Sequence, residues 1–239
     1  MGPGALMEET ATSGAALDEP RTKRRRPTKE DESERLIDAA RHILVRKNGS
    51  GFTLNEVLEE SGLGTRAFYR HFGSKDELAL AVFAQEAERE AKRLHARMKD
   101  AADPVAGVVA WIDVRLEPGF DQRLAASQRP LTEEAVRASR RFPRQLEPAF
   151  NRTLEPLIDQ LTRGMATGDF AGIDPVADAK AIHHVVSGVV EQRWSGFPLR
   201  RRETRMNVLR FCLSALGVDH STVAGLLATP ASTNTTLSA

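Results

Sequence analysis

Residues 51–83 read GFTLNEVLEESGLGTRAFYRHFGSKDELALAVF, and this stretch decides the fold. Thr53 is placed to cap a helix, because its hydroxyl can accept from backbone N–H groups two or three residues on. Leu54, Val57 and Leu58 follow at i, i+3 and i+4, which gives that helix one apolar face. Gly62-Leu63-Gly64 ends it, with glycine where a left-handed backbone is inexpensive. The next helix, Thr65 to Phe72, is short and rich in side chains that reach nucleic acid: Thr65, Arg66, Tyr69, Arg70 and His71. Ala67, Phe68 and Phe72 form its structural stripe, and the polar set falls largely outside it. Ser74-x-x-Glu77 has the form of a capping box and starts a third helix at once. Helix, glycine turn and basic-aromatic helix together make a helix-turn-helix, whose second helix lies in the DNA major groove.

Phe52-Thr53, Val57, Gly62, Phe68-Tyr69-Arg70-His71-Phe72 and Ser74-Lys75-Asp76-Glu77-Leu78 closely resemble the TetR family of bacterial transcriptional regulators. The resemblance covers roughly residues 30 to 83, and beyond that it is one of layout. It implies an all-α homodimer: an N-terminal DNA-binding domain and a C-terminal helical domain that binds a small effector. It also implies that Thr53, Tyr69 and Lys75 hold phosphates. Arg66 is expected to read a base, with guanine favoured because a guanidinium can bond O6 and N7 together. Thr65 and His71 are further candidates for DNA contact. The chain departs from the family at Gly64, where a serine cap is common, and in the first turn Thr65-Arg66-Ala67, which makes Arg66 the expected source of sequence preference.

Working outward toward the N-terminus, residues 1–27 are rich in Gly, Ala, Thr, Glu and Pro without apolar period, so they read as disordered. Arg21 and Lys23 to Arg26 form a basic cluster that fits either an arm along the DNA backbone or a solubilising tail. The net charge of +1 hides an uneven distribution. Residues 1–20 hold four acids and no base, residues 21–75 hold thirteen Lys or Arg against eight acids, and the remainder balances. The positive excess therefore sits on the helix-turn-helix segment, where a polyanion partner needs it. A first helix is expected from Lys29 to Lys47, capped by Thr28, with Leu36, Ala40, Ile43 and Leu44 buried.

Toward the C-terminus the periodicity predicts helices over about 75–99, from Asp103-Pro104 to Pro118, a short one from Pro130 limited by Pro143, and 144–166. Asp174-Pro175 opens another, ending near Ser195, and a ninth runs from Arg200 to Gly217, with a possible last turn over 220–227. Val109, Ile112, Leu116, Phe150, Leu154 and Ile158 are the candidate lining of an effector pocket, although the same spacing suits plain core. Ile182, Val185, Val186 and Val189, with Leu209 and Leu213, suit a four-helix dimer interface made of two helices from each subunit, the alternative being a core hairpin within one chain. A dimer also suits the mechanism, because one short helix covers few base pairs, and a two-fold pair spaces two readers by about 34–36 Å. The expected division is 1–27 arm, 28–74 DNA-binding domain, 75–228 effector and dimerisation domain, and 229–239 disordered tail.

Several signals point elsewhere and carry less. Gly62-x-Gly64-x-x-Ala67 matches a dinucleotide fingerprint, but that motif follows a strand and here follows a helix. His183-His184 are adjacent and diverge by about 100° on a helix, a poor chelate geometry, so no metal is expected. A ligand-pocket or dimer hydrogen bond suits them better. Cys212, the single cysteine, falls among Leu209, Leu213 and Leu216 and reads as a small core hydrophobe. No nucleophile, base and orienting group assemble, so neither enzyme nor cofactor is expected. With no secretion signal and no apolar run long enough for a membrane, a cytoplasmic protein is expected. The competing reading is a non-specific architectural DNA binder that uses its basic arm and has no effector.

Overall fold

The computed structural model describes Met1 and residues 28–228. The rest of the expected arm and the expected tail lie outside the described residues. Ten helices and no strand occur among the described residues: α1 (Lys29–Arg46), α2 (Leu54–Ser61), α3 (Thr65–His71), α4 (Lys75–Met98), α5 (Pro104–Phe120), α6 (Gln122–Arg141), α7 (Pro143–Thr167), α8 (Pro175–Trp194), α9 (Arg201–Ala215) and α10 (His220–Ala228). The all-α expectation holds, with α10 making a helix of the possible last turn.

Two of the expected boundaries are wrong. The helix expected to close at Pro118-Gly119 runs through both to Phe120. The short helix expected to open at Pro130 starts eight residues earlier, at Gln122. Proline removes one helical hydrogen bond and crowds the preceding turn, which is why both prolines read as boundaries. Here Asp121 supplies a stronger start: its Oδ1 accepts from the N–H of Arg123 at 2.8 Å and Leu124 at 3.0 Å. Pro118 and Pro130 are themselves buried, so packing holds the helices on either side of each ring.

The apolar residues form two cores. The smaller joins α1, α2, α3 and the start of α4 through Leu36, Ile43, Leu44, Phe52, Val57, Phe68, Phe72, Leu78 and Val82. It includes one residue from further along the chain, Leu131 of α6. The larger runs through α4, α5, α7, α8, α9 and α10, around Trp111, Ile112, Leu154, Leu157, Leu161, Val186 and Leu209. Two elements join the cores. Helix α4 belongs to both, and an ion-pair cluster fastens it to α1: Arg41 to Glu86 at 2.8 Å, and Arg89 to Asp38 at 2.8 Å and Glu86 at 2.7 Å. Helix α6 lies on the loop between α1 and α2, where Arg137 donates to the carbonyl of Gly49, and Arg141 pairs with Asp76 at 3.0 Å.

Candidate nucleic-acid interface

The helix-turn-helix is built from its caps upward. Thr53 Oγ1 accepts from the N–H of Glu56, and the Glu56 carboxylate accepts from the N–H of Thr53 at 2.7 Å, a complete capping box. Lys47 also donates to Glu56 at 3.0 Å, and that bond leads the effects that hold its carboxyl down to about 2. Gly62 closes α2 at φ +64°, the left-handed conformation expected of it. Its N–H donates to Glu59 and that of Leu63 to Leu58, so the free carbonyls at the helix end are satisfied. Arg35 of α1 donates to the Ser61 carbonyl at 2.5 Å and fixes the turn against α1. As expected, Gly64 begins α3 without a side-chain cap. At α4 the Ser74 hydroxyl accepts from Glu77 N–H at 3.1 Å, but Glu77 reaches back to Gly73 N–H at 2.7 Å. The reciprocal half of that cap thus lands one residue earlier than the S-x-x-E pattern implies.

This frame orients α3. Ala67 and Phe68 are buried on one side, Phe68 with 1% exposure, and the ring of Phe72 closes the same face. Thr65, Arg66, Tyr69 and Arg70 are exposed on the other. Tyr69 is 60% exposed, its ring held edge-on by Phe68 at 5.2 Å while its hydroxyl has no partner among the described residues. Neither Thr65 nor Arg66 has a polar partner among the described residues. Lys75 is exposed, its ammonium 5.8 Å from the Phe52 ring centroid.

Two members of the expected DNA-contacting set are engaged inside the protein. His71 is not a free outward group. Its side chain is 10% exposed and its Nε2 donates to Glu32 of α1 at 3.0 Å. His71 lies four residues after buried Ala67, on the same side of α3, which turns it toward α1 and the Glu32 carboxylate. Arg70 also pairs with Glu32, at 3.3 Å. The His71 hydrogen bond, with Arg70's charge behind it, holds the Glu32 carboxyl below its ordinary value. Thr53 is exposed, but its hydroxyl donates to Glu56 at 2.9 Å while accepting from Glu56 N–H. Glu32 was not visible as a partner because its spacing to residues 70 and 71 reflects tertiary packing.

The two apolar sets of the C-terminal region fall differently from expectation. Of the pocket set, Ile112, Leu116 and Leu154 are buried in the large core, while Val109, Phe150 and Ile158 pack against it half-buried. Of the dimer set, Ile182, Val186, Leu209 and Leu213 are buried in the protomer's own core, and Val185 and Val189 pack against it. A 3.6-residue apolar period marks the best-buried stripe, and in α8 and α9 that stripe faces inward. The outward surface of these helices carries Ala181, His184 and Gly188 on α8 and Phe211, 62% exposed, on α9.

Residues 36–82 match the model of the bacterial regulatory proteins of the tetR family. The HTH-type transcriptional regulator LmrA of Bacillus subtilis is 28% identical over 83 residues, 34% of this chain and 44% of that protein. The alignments span about two fifths of the curated relatives they match. Among solved structures, RolR in complex with resorcinol superposes with a TM-score of 0.58 at 18% identity, covering 84% of this chain and 95% of that one. FadR from Bacillus subtilis in complex with stearoyl-CoA gives 0.60 at 16% identity, covering 76% and 97%. The family match falls on the helix-turn-helix whose caps, turn and recognition helix are described above, and the structural likeness extends the shared fold through the C-terminal helices. Residues 36–82 thus carry the helix-turn-helix of the bacterial regulatory proteins of the tetR family, on a fold shared with RolR and FadR.

Proposed function

We propose that this chain is a homodimeric transcriptional repressor that binds an inverted-repeat DNA operator and is released by a small, largely apolar effector. The observation that carries the DNA-binding part is the two-sidedness of α3. Phe68 and Ala67 lock one face into the core, and Thr65, Arg66 and Tyr69 stand outward without a side-chain polar partner among the described residues. Arg66 reads a base, Thr65 is its neighbour on the reading face, and Tyr69 and Lys75 hold phosphates. Thr53 and His71 act by positioning: Thr53 caps α2, and His71 pins α3 to α1 through Glu32. The dimer buries the outward face of α8 and α9 around Gly188 and Phe211, in place of the inward stripe. The protein works in the cytoplasm, where its operator is. RolR with resorcinol and FadR with stearoyl-CoA support a small-molecule effector on this fold.

The test is selection of random duplex DNA by the purified protein at about 150 mM salt, since lower salt inflates non-specific binding. An enriched inverted repeat is expected. DNA retained without enrichment would replace this reading with the architectural one.

A further inference from the structure

Trp111 is fully buried, at 0% exposure, yet its indole N–H has no hydrogen-bond partner among the described residues. The same holds for Nδ1 of His183, on the facing helix α8. The two rings lie 6.4 Å apart, centroid to centroid. Phe150 of α7 stands edge-on to His183 at 5.0 Å. Buried polar atoms in native proteins are almost always hydrogen-bonded, so two orphans side by side point to a partner that comes from outside the chain. The other tryptophan shows the contrast: Trp194 donates its N–H to the Pro118 carbonyl at 2.9 Å.

We propose that Trp111 and His183 are the polar end of the effector site, and that they select a neutral, mostly apolar molecule carrying a hydroxyl group. This rests on the effector reading above and names the chemistry of that site. Indole offers only a donor, so the ligand atom facing Trp111 must accept. His183 offers either role at Nδ1, depending on what its Nε2 does with the Ser187 hydroxyl 3.3 Å away. A hydroxyl satisfies both cases: its oxygen accepts from Trp111, and it either donates to Nδ1 or accepts from it. A bare carbonyl suits only one of them.

Charge narrows the class further. Burial, then the charge of Arg115, pushes His183 down to about 3, so the imidazole is neutral at physiological pH and offers no cation to an anion. Arg115 itself lies 5.9 Å from the Trp111 ring centroid but is engaged by Glu90 at 3.1 Å. The exposed ring of His184 lies 5.6 Å from His183, Phe150 stands against both imidazoles, and Val109 and Ile158 pack against the same core.

The experiment is calorimetric titration of the full-length protein with phenol, with toluene, in which a methyl replaces the hydroxyl, and with benzoate. The measurement is repeated for Trp111→Phe and His183→Phe, each checked for an unchanged thermal midpoint to within a few degrees. Phenol should bind about tenfold tighter than toluene, the scale of one or two buried hydrogen bonds. Benzoate should bind more weakly than phenol. Either substitution should bring phenol and toluene to within about threefold of each other, one partner being lost. Equal binding of phenol and toluene would overturn the polar pair while leaving an apolar effector site standing. Tighter binding of benzoate, an unchanged preference in both variants, or no binding of any probe would also overturn it. Release of the selected operator is scored separately: hydroxyl-dependent binding without release would keep the pair and remove the effector role.

Discussion

Replacing Gly49 by alanine tests whether α6 rests on the DNA-binding domain as the structure shows, and Gly51 provides a matched control. Both glycines have left-handed φ, +75° and +78°. Alanine at either position pays about 1–2 kcal/mol for that conformation. Their surroundings differ. A Cβ at Gly51 meets nothing within 4 Å, whereas one at Gly49 falls 2.7 Å from the Pro130 carbonyl oxygen of α6 and 3.2 Å from the Arg137 guanidinium. The Pro130 atom is backbone, so relief requires α6 itself to move away. That movement strains the Arg137 bond to the Gly49 carbonyl and the seat of Leu131 in the small core. Overpacking of this kind costs about 1–3 kcal/mol beyond the backbone term. Gly51→Ala should therefore lose about 1–2 kcal/mol and Gly49→Ala about 2–5 kcal/mol. The assay is equilibrium urea unfolding of both variants beside the parent. For a chain of this size the difference between the variants corresponds to roughly 2–4 °C of thermal midpoint per kcal/mol. Equal losses, within about 0.5 kcal/mol, a usual surface-site scatter, would refute the contact between α6 and this loop.

Three further outcomes are expected. In binding assays on the selected operator, Arg66→Ala should lose about 1–3 kcal/mol and relax the preferred base, while Lys75→Ala should weaken all sequences alike and flatten the salt slope by about one unit. Unchanged site preference in Arg66→Ala would remove its base-reading role. His183, pushed down to about 3 when folded against about 6.5 when unfolded, binds its proton in the unfolded chain first. Its contribution to stability is whole above pH 6.5 and is lost as pH falls toward 3. Between pH 6.5 and 5, above the range of the carboxylates, stability should thus decline with the slope of one proton, and His183→Phe should abolish that decline in unfolding curves. Cys212 is 1% exposed, and burial pushes its thiol up to about 11, so Ellman's reagent should fail to modify the native protein and react fully on denaturation.

The helix-turn-helix was legible because its signals are local. Thr53, Gly62, Gly64 and Ser74 each act within three or four residues, and caps and left-handed turns impose themselves whatever lies around them. Phe68 and Phe72 were legible as core from spacing alone. What local signals could not give is the partner of a side chain far away in sequence. Nothing between residues 32 and 71 announces that Glu32 sits under His71. The same limit explains Pro118 and Pro130: taken alone each stops a helix, and only the packing around them shows that α5 and α6 continue. In α8 and α9 the apolar period marks a buried stripe, but periodicity does not say what buries it. Ile182 and Leu209 face their own subunit because the strongest stripe goes to the largest core.

The two attachments of the DNA-binding domain limit how an effector could act on it. A molecule bound at Trp111, Phe150 and His183 touches α5, α7 and α8, none of which forms the small core. Any rearrangement there must reach α3 through α4, by Arg41–Glu86 and Arg89–Asp38, or through α6. Helix α6 is held at both ends. Arg129 donates to the Trp194 carbonyl at the end of α8, and Arg137 donates to the Gly49 carbonyl before α2. Trp194 in turn fastens to Pro118 near the end of α5. A shift at the end of α8 therefore has a continuous polar route to the loop that supports the helix-turn-helix, beside the α4 route, which runs through Leu78 and Val82 in the small core and through the partly exposed ion pairs to α1. Such a route moves the protein between states only as far as the effector's affinity differs between them. On these grounds the α6 contacts, Gly49, Leu131 and Arg137, are where weakening the link between effector site and α3 should cost regulation while leaving the DNA-contacting face of α3 intact.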